Sequence, residues 1–186
     1  MTRLQAALDA IDRANAADPQ LTDGQPEALL YGQRMSAEQQ ALYPGASEAL
    51  RIACRGQHVE RWLLARDAFP MDRAGYLAWR TEQGRRHAAR VAQIMRDAGY
   101  DAPEISQAER MLTKQGIKRD DEVQALEDVA CFTFMRWYMQ PFGKDRDPAE
   151  MQRIVERTAR KMSATARTRA LREFAIPEPF AAAFRA

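Results

Sequence analysis

Residues 72–99 read DRAGYLAWRTEQGRRHAARVAQIMRDAG, and this stretch decides the fold. Asp72 is an N-cap residue, whose short carboxylate accepts hydrogen bonds from first-turn N–H groups. His87, Val91 and Ile94 fall near one face, with Arg86 and Arg90 lateral to it. That is the stripe of a helix with one side on a core. Gly99 supplies the left-handed residue that ends a helix. The spacing predicts one long helix from Asp72 to near Gly99.

The flanking sequence carries the same signal. Upstream, Phe69-Pro70-Met71 interrupts the pattern, and Ser47 caps a predicted helix over 47–67. Pro26 suits the first turn of a helix that runs to about Tyr43 and stops at Pro44-Gly45. Leu4, Ala7, Leu8 and Ile11 place a helix at about 2–15, and Pro19, Gly24 and Pro26 mark the loop after it. Downstream, helices are predicted over 102–115, ended by Gly116, and over 120–140, with Asp120 and Asp121 in the first turn and Pro141 and Gly143 after it. A last helix spans 147–173, and Pro177 precedes a short C-terminal turn. Alternation of apolar and polar residues is nearly absent. The expectation is an all-α, compact domain of about seven helices covering residues 1–186, with no linker to mark a second domain.

Composition narrows the function classes. Of the 186 residues 46% are apolar and 29% charged, as in a globular protein, and the net charge of +2 gives no push toward nucleic acid or an anionic membrane. No apolar run approaches the roughly 20 residues that span a bilayer. The opening MTRLQAALDAIDRANA has no continuous apolar segment of a secretory leader. Two cysteines, Cys54 and Cys131, make no disulfide framework, and point to free thiols in a reducing cytoplasm.

Few side chains carry chemistry. In SEALRIACRGQHVERWLLAR (47–66), His58 follows Cys54 by one helical turn, and Gly56 beside it suits the close approach of another helix or a ligand. A hydrogen-bonded core histidine accounts for His58 equally well. His87, on the apolar side of its helix, needs a partner, since an unpaired buried polar group costs about 1–3 kcal/mol. That partner is a carboxylate, a backbone group, a water or a metal. Asp128 sits inside the apolar run of Leu126, Val129, Ala130, Cys131 and Phe132, either as a ligand or base or as a hydrogen-bonded anchor. Arg73, Tyr76 and Arg80, with Trp79, lie at helical spacings that suit bidentate binding of a phosphate or carboxylate, or equally a salt-bridged surface. The 147–173 segment is basic, which permits nucleic acid, although a solvated face suits it better. There is no glycine-rich phosphate loop, no H-E-x-x-H and no Cys-x-x-Cys.

Together, ALLYGQRMS, ALRIACRGQHVERW, PMDRAGYLAWR, HAARVAQIMRDAGY, KQGIKRDDEVQALEDVACFTF and the late KMS resemble the bacterial and fungal family filed as domain of unknown function 4202. That family in turn looks like a distant variant of the HD superfamily of helical, metal-dependent phosphohydrolases. The resemblance implies a divalent metal held by His58, in place of the histidine of the His-Asp pair, His87 as the following histidine, and Asp128 as the late aspartate. The same three residues would be the catalytic group. The pattern departs from the superfamily at Val59, where the paired aspartate should stand, and at Tyr31, Gln33 and Arg34, where an upstream histidine should. A further histidine position falls near Lys114.

Two functional expectations follow from the resemblance. One is hydrolysis of a phosphorylated or nucleotide-like small molecule, with Arg34, Arg61, Arg73, Tyr76, Arg80, Lys114 and Lys118 on the substrate. The other is non-catalytic binding of an anionic metabolite, nucleotide or nucleic acid on a degenerate scaffold, with arginines and lysines holding an anion where the metal once bound. A purely structural network of His, Asp and Arg is the third reading.

Overall fold

The computed structural model describes residues 1–178 and 180–185. They fall into two compact units, Met1–Gly116 and Ile117–Ala186. Each is taken by itself. Nearly all regular structure is helical, as the periodicity predicts.

The first unit holds α1 (Arg3–Asn15), β1 (Leu21–Thr22), β2 (Gln25–Pro26), α2 (Glu27–Leu42), α3 (Glu48–Gly56), α4 (Arg73–Asp97) and α5 (Ala102–Leu112). Caps set the starts. Ser47 accepts from the Leu50 N–H, Asp72 from the Gly75 N–H, and Asp101 with Glu104 closes a reciprocal capping box. Ile11, Met35, Leu50, Ile52, Val91, Met95 and Met111 are fully buried and form the core. The two short strands correct the expectation of a plain loop. Asp23 and Gly24 both adopt positive φ, 54° and 75°, which is what a two-residue hairpin turn demands. Leu21 pairs with Pro26 and Thr22 with Gln25.

The helix expected over 47–67 ends at Gly56. Beyond it the chain enters turns, with short 3-10 segments at Arg61–Leu63 and Arg66–Ala68. The reason lies in competing partners. The Glu60 N–H donates to Asn15 Oδ1 of α1 at 3.0 Å, and Glu60 takes a left-handed φ of 52°. The Gln83 amide donates to the carbonyls of Arg61 and Leu64, and the Trp79 indole also donates to Leu64. Backbone groups that a continuing helix would satisfy internally are satisfied by α1 and α4. His58 therefore stands on a turn, two residues past the helix. Gly56 does mark a close approach: a Cβ there would come within 2.5 Å of Val91 Cγ2 on α4.

The second unit holds α6 (Asp121–Thr133), a π turn at Phe134–Tyr138, α7 (Met139–Gly143), α8 (Pro148–Lys161), α9 (Ala164–Glu173) and α10 (Ala182–Arg185). Pro141 does not stop the sixth helical segment. It lies in the first turn of α7, where a missing N–H is tolerated. The helix expected over 147–173 is two helices. Met162 is extended and buried, and Ser163 caps α9 through the Ala166 N–H. The Ser163 N–H, freed from helical pairing, donates to Asp128.

Candidate anion-binding cavity

The turns between α3 and α4 wall a cavity of about 430 Å³ in the first unit. That is the size of a small-molecule site. Its charged lining is Asp18, Glu27, Arg61, Arg66 and Asp67, and Tyr31, His58, Trp62 and Trp79 supply its rings. The surrounding loops are pinned by backbone contacts. The Arg66 guanidinium donates to the carbonyls of Phe69, Pro70 and Asp72. The buried Asp18 carboxylate accepts from the N–H groups of Gln20 and Ala28. Gly75 lets the Pro70 carbonyl lie against α4, since a Cβ there would sit 2.0 Å from that oxygen.

Within the wall, His58 stacks flat on Tyr31, with centroids 3.8 Å apart and planes 14° apart. Tyr31 donates its hydroxyl to Gln57 Oε1, so the ring is oriented from both sides. The Arg61 guanidinium carbon lies 4.6 Å from the Trp79 ring centroid, a cation–π placement. Arg61 is half-buried, and burial lowers its pKa, although a guanidinium keeps its proton at any ordinary pH. Among the described residues no carboxylate lies within ion-pair distance of it, and its guanidinium donates no hydrogen bond. Glu27 favours its charge only at longer range.

The histidines are kept neutral. Desolvation pushes the His58 pKa well below the usual value, and the charges of Arg61, Lys114 and Arg80 and the neighbouring His87 push the same way. The two rings lie 5.9 Å apart. His87 is only 4% exposed, and its pKa is lowered to about 3 by desolvation first, then by Arg61 and Arg86, against a hydrogen bond with the Gln57 backbone. Its Nε2 has no hydrogen-bond partner among the described residues.

The structure brings together part of the set expected from sequence. His58 and Arg61 line the cavity, His87 lies behind His58, and Lys114 and Arg80 act on His58 through their charge. Arg73, Tyr76 and Arg80 are exposed on α4 and do not line it. Arg80 lies 5.7 Å over the Tyr76 ring. Arg34 is paired with Asp23 at 2.8 Å. Lys118 belongs to the second unit, where its Nζ donates to the Arg160 carbonyl. Asp128 also belongs to the second unit. It is 0% exposed, and its carboxylate accepts from Gln124 Nε2, the Ser163 N–H and, at 2.6 Å, the Ser163 hydroxyl. Sequence reasoning passed over Trp62 and Glu27. The only signal for them was adjacency, Trp62 to Arg61 and Glu27 to the Pro26 helix start.

The donor set does not fit the divalent metal centre that the superfamily resemblance implies. Among the described residues no group of three or more His, Cys, Asp or Glu is placed to hold a metal ion. The charged side chains that act most strongly on His58 are cationic, and Asp128 is engaged with Ser163. Asp18, Glu27 and Asp67 line the cavity together with the cations Arg61 and Arg66.

A mostly helical protein with an aromatic, arginine-bearing cavity is the class that fold and site define. The chain belongs to the family described as Domain of unknown function (DUF4202), whose model matches residues 5–183. No curated protein and no solved structure matches it. No helix among the described residues is long and apolar enough to cross a membrane.

Proposed function

We propose that the first unit binds an anionic small molecule, phosphorylated or nucleotide-like, in the cavity between α3 and α4. The observation that carries this reading is Arg61. A half-buried guanidinium without a carboxylate partner is a standing electrostatic cost, because a charge withdrawn from water loses several kcal/mol unless it is paired. A ligand anion removes that cost and adds bidentate hydrogen bonds. Trp79 fixes the guanidinium plane from one side, and Trp62 and the Tyr31–His58 stack offer flat apolar surface to the rest of the ligand.

The test is thermal unfolding in the presence of inorganic phosphate, sugar phosphates and nucleotides. At least one phosphorylated compound should raise the midpoint of the wild type, and Arg61→Ala should lose the rise. Ligand at about 100 times Kd stabilises by roughly 2.7 kcal/mol, which such an assay resolves easily. No response to any phosphorylated compound would remove the proposal.

Hydrolysis of the bound phosphate ester is a second reading, favoured by the place of His58 at the cavity wall, three residues from Arg61. On this reading water attacks phosphorus as the bond to the ester oxygen breaks, the proton that water gives up passes through His58 to the leaving alcohol, and Arg61 holds the phosphoryl oxygens. Release of phosphate from any ester of the panel by wild type, lost in His58→Gln, separates this from binding alone.

A further inference from the structure

We infer that the cavity takes a phosphorylated amine, with the phosphate on Arg61 and the ammonium on Glu27 and Asp67 beside the Trp62 ring. The inference rests on the reading of the cavity as an anion site and goes beyond it in naming the second charge of the ligand and the residues that hold it.

The lining carries both signs of charge. Asp18, Glu27 and Asp67 share it with Arg61 and Arg66. Two of these five are committed inside the fold. Asp18 accepts from the N–H groups of Gln20 and Ala28, and Arg66 donates to the carbonyls of Phe69, Pro70 and Asp72. The Arg61 guanidinium and the carboxylates of Glu27 and Asp67 have no hydrogen bond or ion pair among the described residues. Glu27 and Arg61 stand too far apart to pair, yet close enough for Glu27 to act on the Arg61 charge. Opposite charges held apart across one cavity complement a ligand that carries the same two charges in reverse order. Glu27 and Asp67 are exposed and Arg61 is half-buried, so the ammonium lies toward solvent and the phosphate further in.

Charge balance points the same way. Three carboxylates against two guanidiniums leave one negative charge in excess in the lining. Arg80 and Lys114, outside the lining, add positive charge felt at His58. A phosphate that brings no cation satisfies Arg61 and is repelled by Glu27 and Asp67. An ammonium on the same molecule turns that repulsion into attraction.

The rings supply the third contact. Trp79 is taken up by the Arg61 guanidinium and by its own indole bond to the Leu64 carbonyl, and Tyr31 has one face covered by His58. Trp62 is half-buried in the same lining, and among the described residues it has no ring, cation or hydrogen-bond partner. A free indole face near carboxylates is a setting that attracts ammonium groups, through the ring quadrupole and the negative charge together.

The experiment is a calorimetric titration of the full chain at about pH 7, where an alkyl ammonium keeps its proton. It uses two matched pairs: phosphoethanolamine against ethyl phosphate, and aminopropyl phosphate against propyl phosphate. The inference expects at least one amine to bind wild type at least tenfold more tightly than its partner compound. In Glu27→Gln/Asp67→Asn that ratio should fall to about one, and Arg61→Ala should bind none of the four. Circular dichroism checks that the variants fold, and Arg61→Lys serves if Arg61→Ala does not. A lipid headgroup carries the same chemistry, so the chain is also sedimented with phosphatidylethanolamine vesicles. Sedimentation with the vesicles and no binding of the free amines overturns the assignment to a small molecule. Equal affinities within both pairs, or a preference for the amine that survives in Glu27→Gln/Asp67→Asn, overturns the inference and leaves the anion site standing. Absence of binding by the amines, where a sugar phosphate or nucleotide still stabilises the chain, does the same. Absence of any response to all of these compounds overturns both.

Discussion

The His58 imidazole lies stacked on the Tyr31 ring, with centroids 3.8 Å apart, at the wall of the cavity that also holds Arg61. The stack does two things. It hides one face of the imidazole from water, which disfavours the charged form, and it fixes the plane in which a ring nitrogen meets a ligand.

Removing the stack should therefore change the titration of His58. In Tyr31→Ala, water reaches the imidazole and its pKa should move up toward the ordinary value of about 6.5. Tyr31→Phe keeps the stack and loses only the hydrogen bond to Gln57, at a cost of about 0.5–1.5 kcal/mol. NMR titration of the two histidines in both variants checks this. A His58 pKa that stays depressed in Tyr31→Ala would mean that the cations alone depress it.

His87 makes the stability of the first unit depend on pH. Its pKa is about 3 folded and about 6.5 unfolded, so the unfolded chain binds the extra proton. The sign follows: no effect above pH 6.5, stability falling as pH drops from there toward 3, and a level course below it. The full loss is on the order of a few kcal/mol, and His58 adds to the same slope. Denaturant unfolding from pH 7 to 4 should show a shallower decline in His87→Gln than in wild type.

Gly56→Ala should destabilise the first unit by roughly 1–3 kcal/mol, because the new methyl group would lie 2.5 Å from Val91 Cγ2 between two packed helices. The double variant Gly56→Ala/Val91→Ala should recover part of that loss. Failure of the second change to help would place the strain elsewhere.

Asp128 should prove a structural anchor in the second unit. It accepts hydrogen bonds from Gln124 and, twice, from Ser163 at the α8–α9 break. Each donor left unsatisfied when the carboxylate is removed costs about 1–3 kcal/mol. Asp128→Ala should unfold at a clearly lower denaturant concentration, and Ser163→Ala should cost less, since the Ser163 N–H remains. Equal stability of wild type and Asp128→Ala would contradict this.

Much of the fold was legible from local chemistry. Ser47, Asp72 and the Asp101 box announce helix starts, and Gly99 announces the end of α4, because caps act within a single turn of chain. The hairpin at Asp23-Gly24 was missed: its strands are two residues long and give no alternation to set it apart from a loop. The end of α3 at Gly56 was hidden. It depends on Asn15, Trp79 and Gln83 reaching in from helices far along the chain. The break at Met162–Ser163 depends in the same way on Asp128.

The candidate site divides along the same line. The residue types were readable, since two histidines and a conspicuous arginine set stand out in the sequence. Which arginine matters was not. Arg61 is distinguished from Arg34, which is paired, and from Arg73 and Arg80, which are exposed, only by three-dimensional surroundings.

The central claim is that Arg61 waits for a ligand's negative charge. Paired titrations of one nucleoside and its 5′-monophosphate against wild type and Arg61→Ala test it most directly. The account predicts that the monophosphate binds wild type at least tenfold more tightly than the nucleoside, and that this difference vanishes in Arg61→Ala while the weak binding of the nucleoside is retained. Equal affinity of the two compounds for wild type, or a phosphate preference that survives in Arg61→Ala, would contradict it.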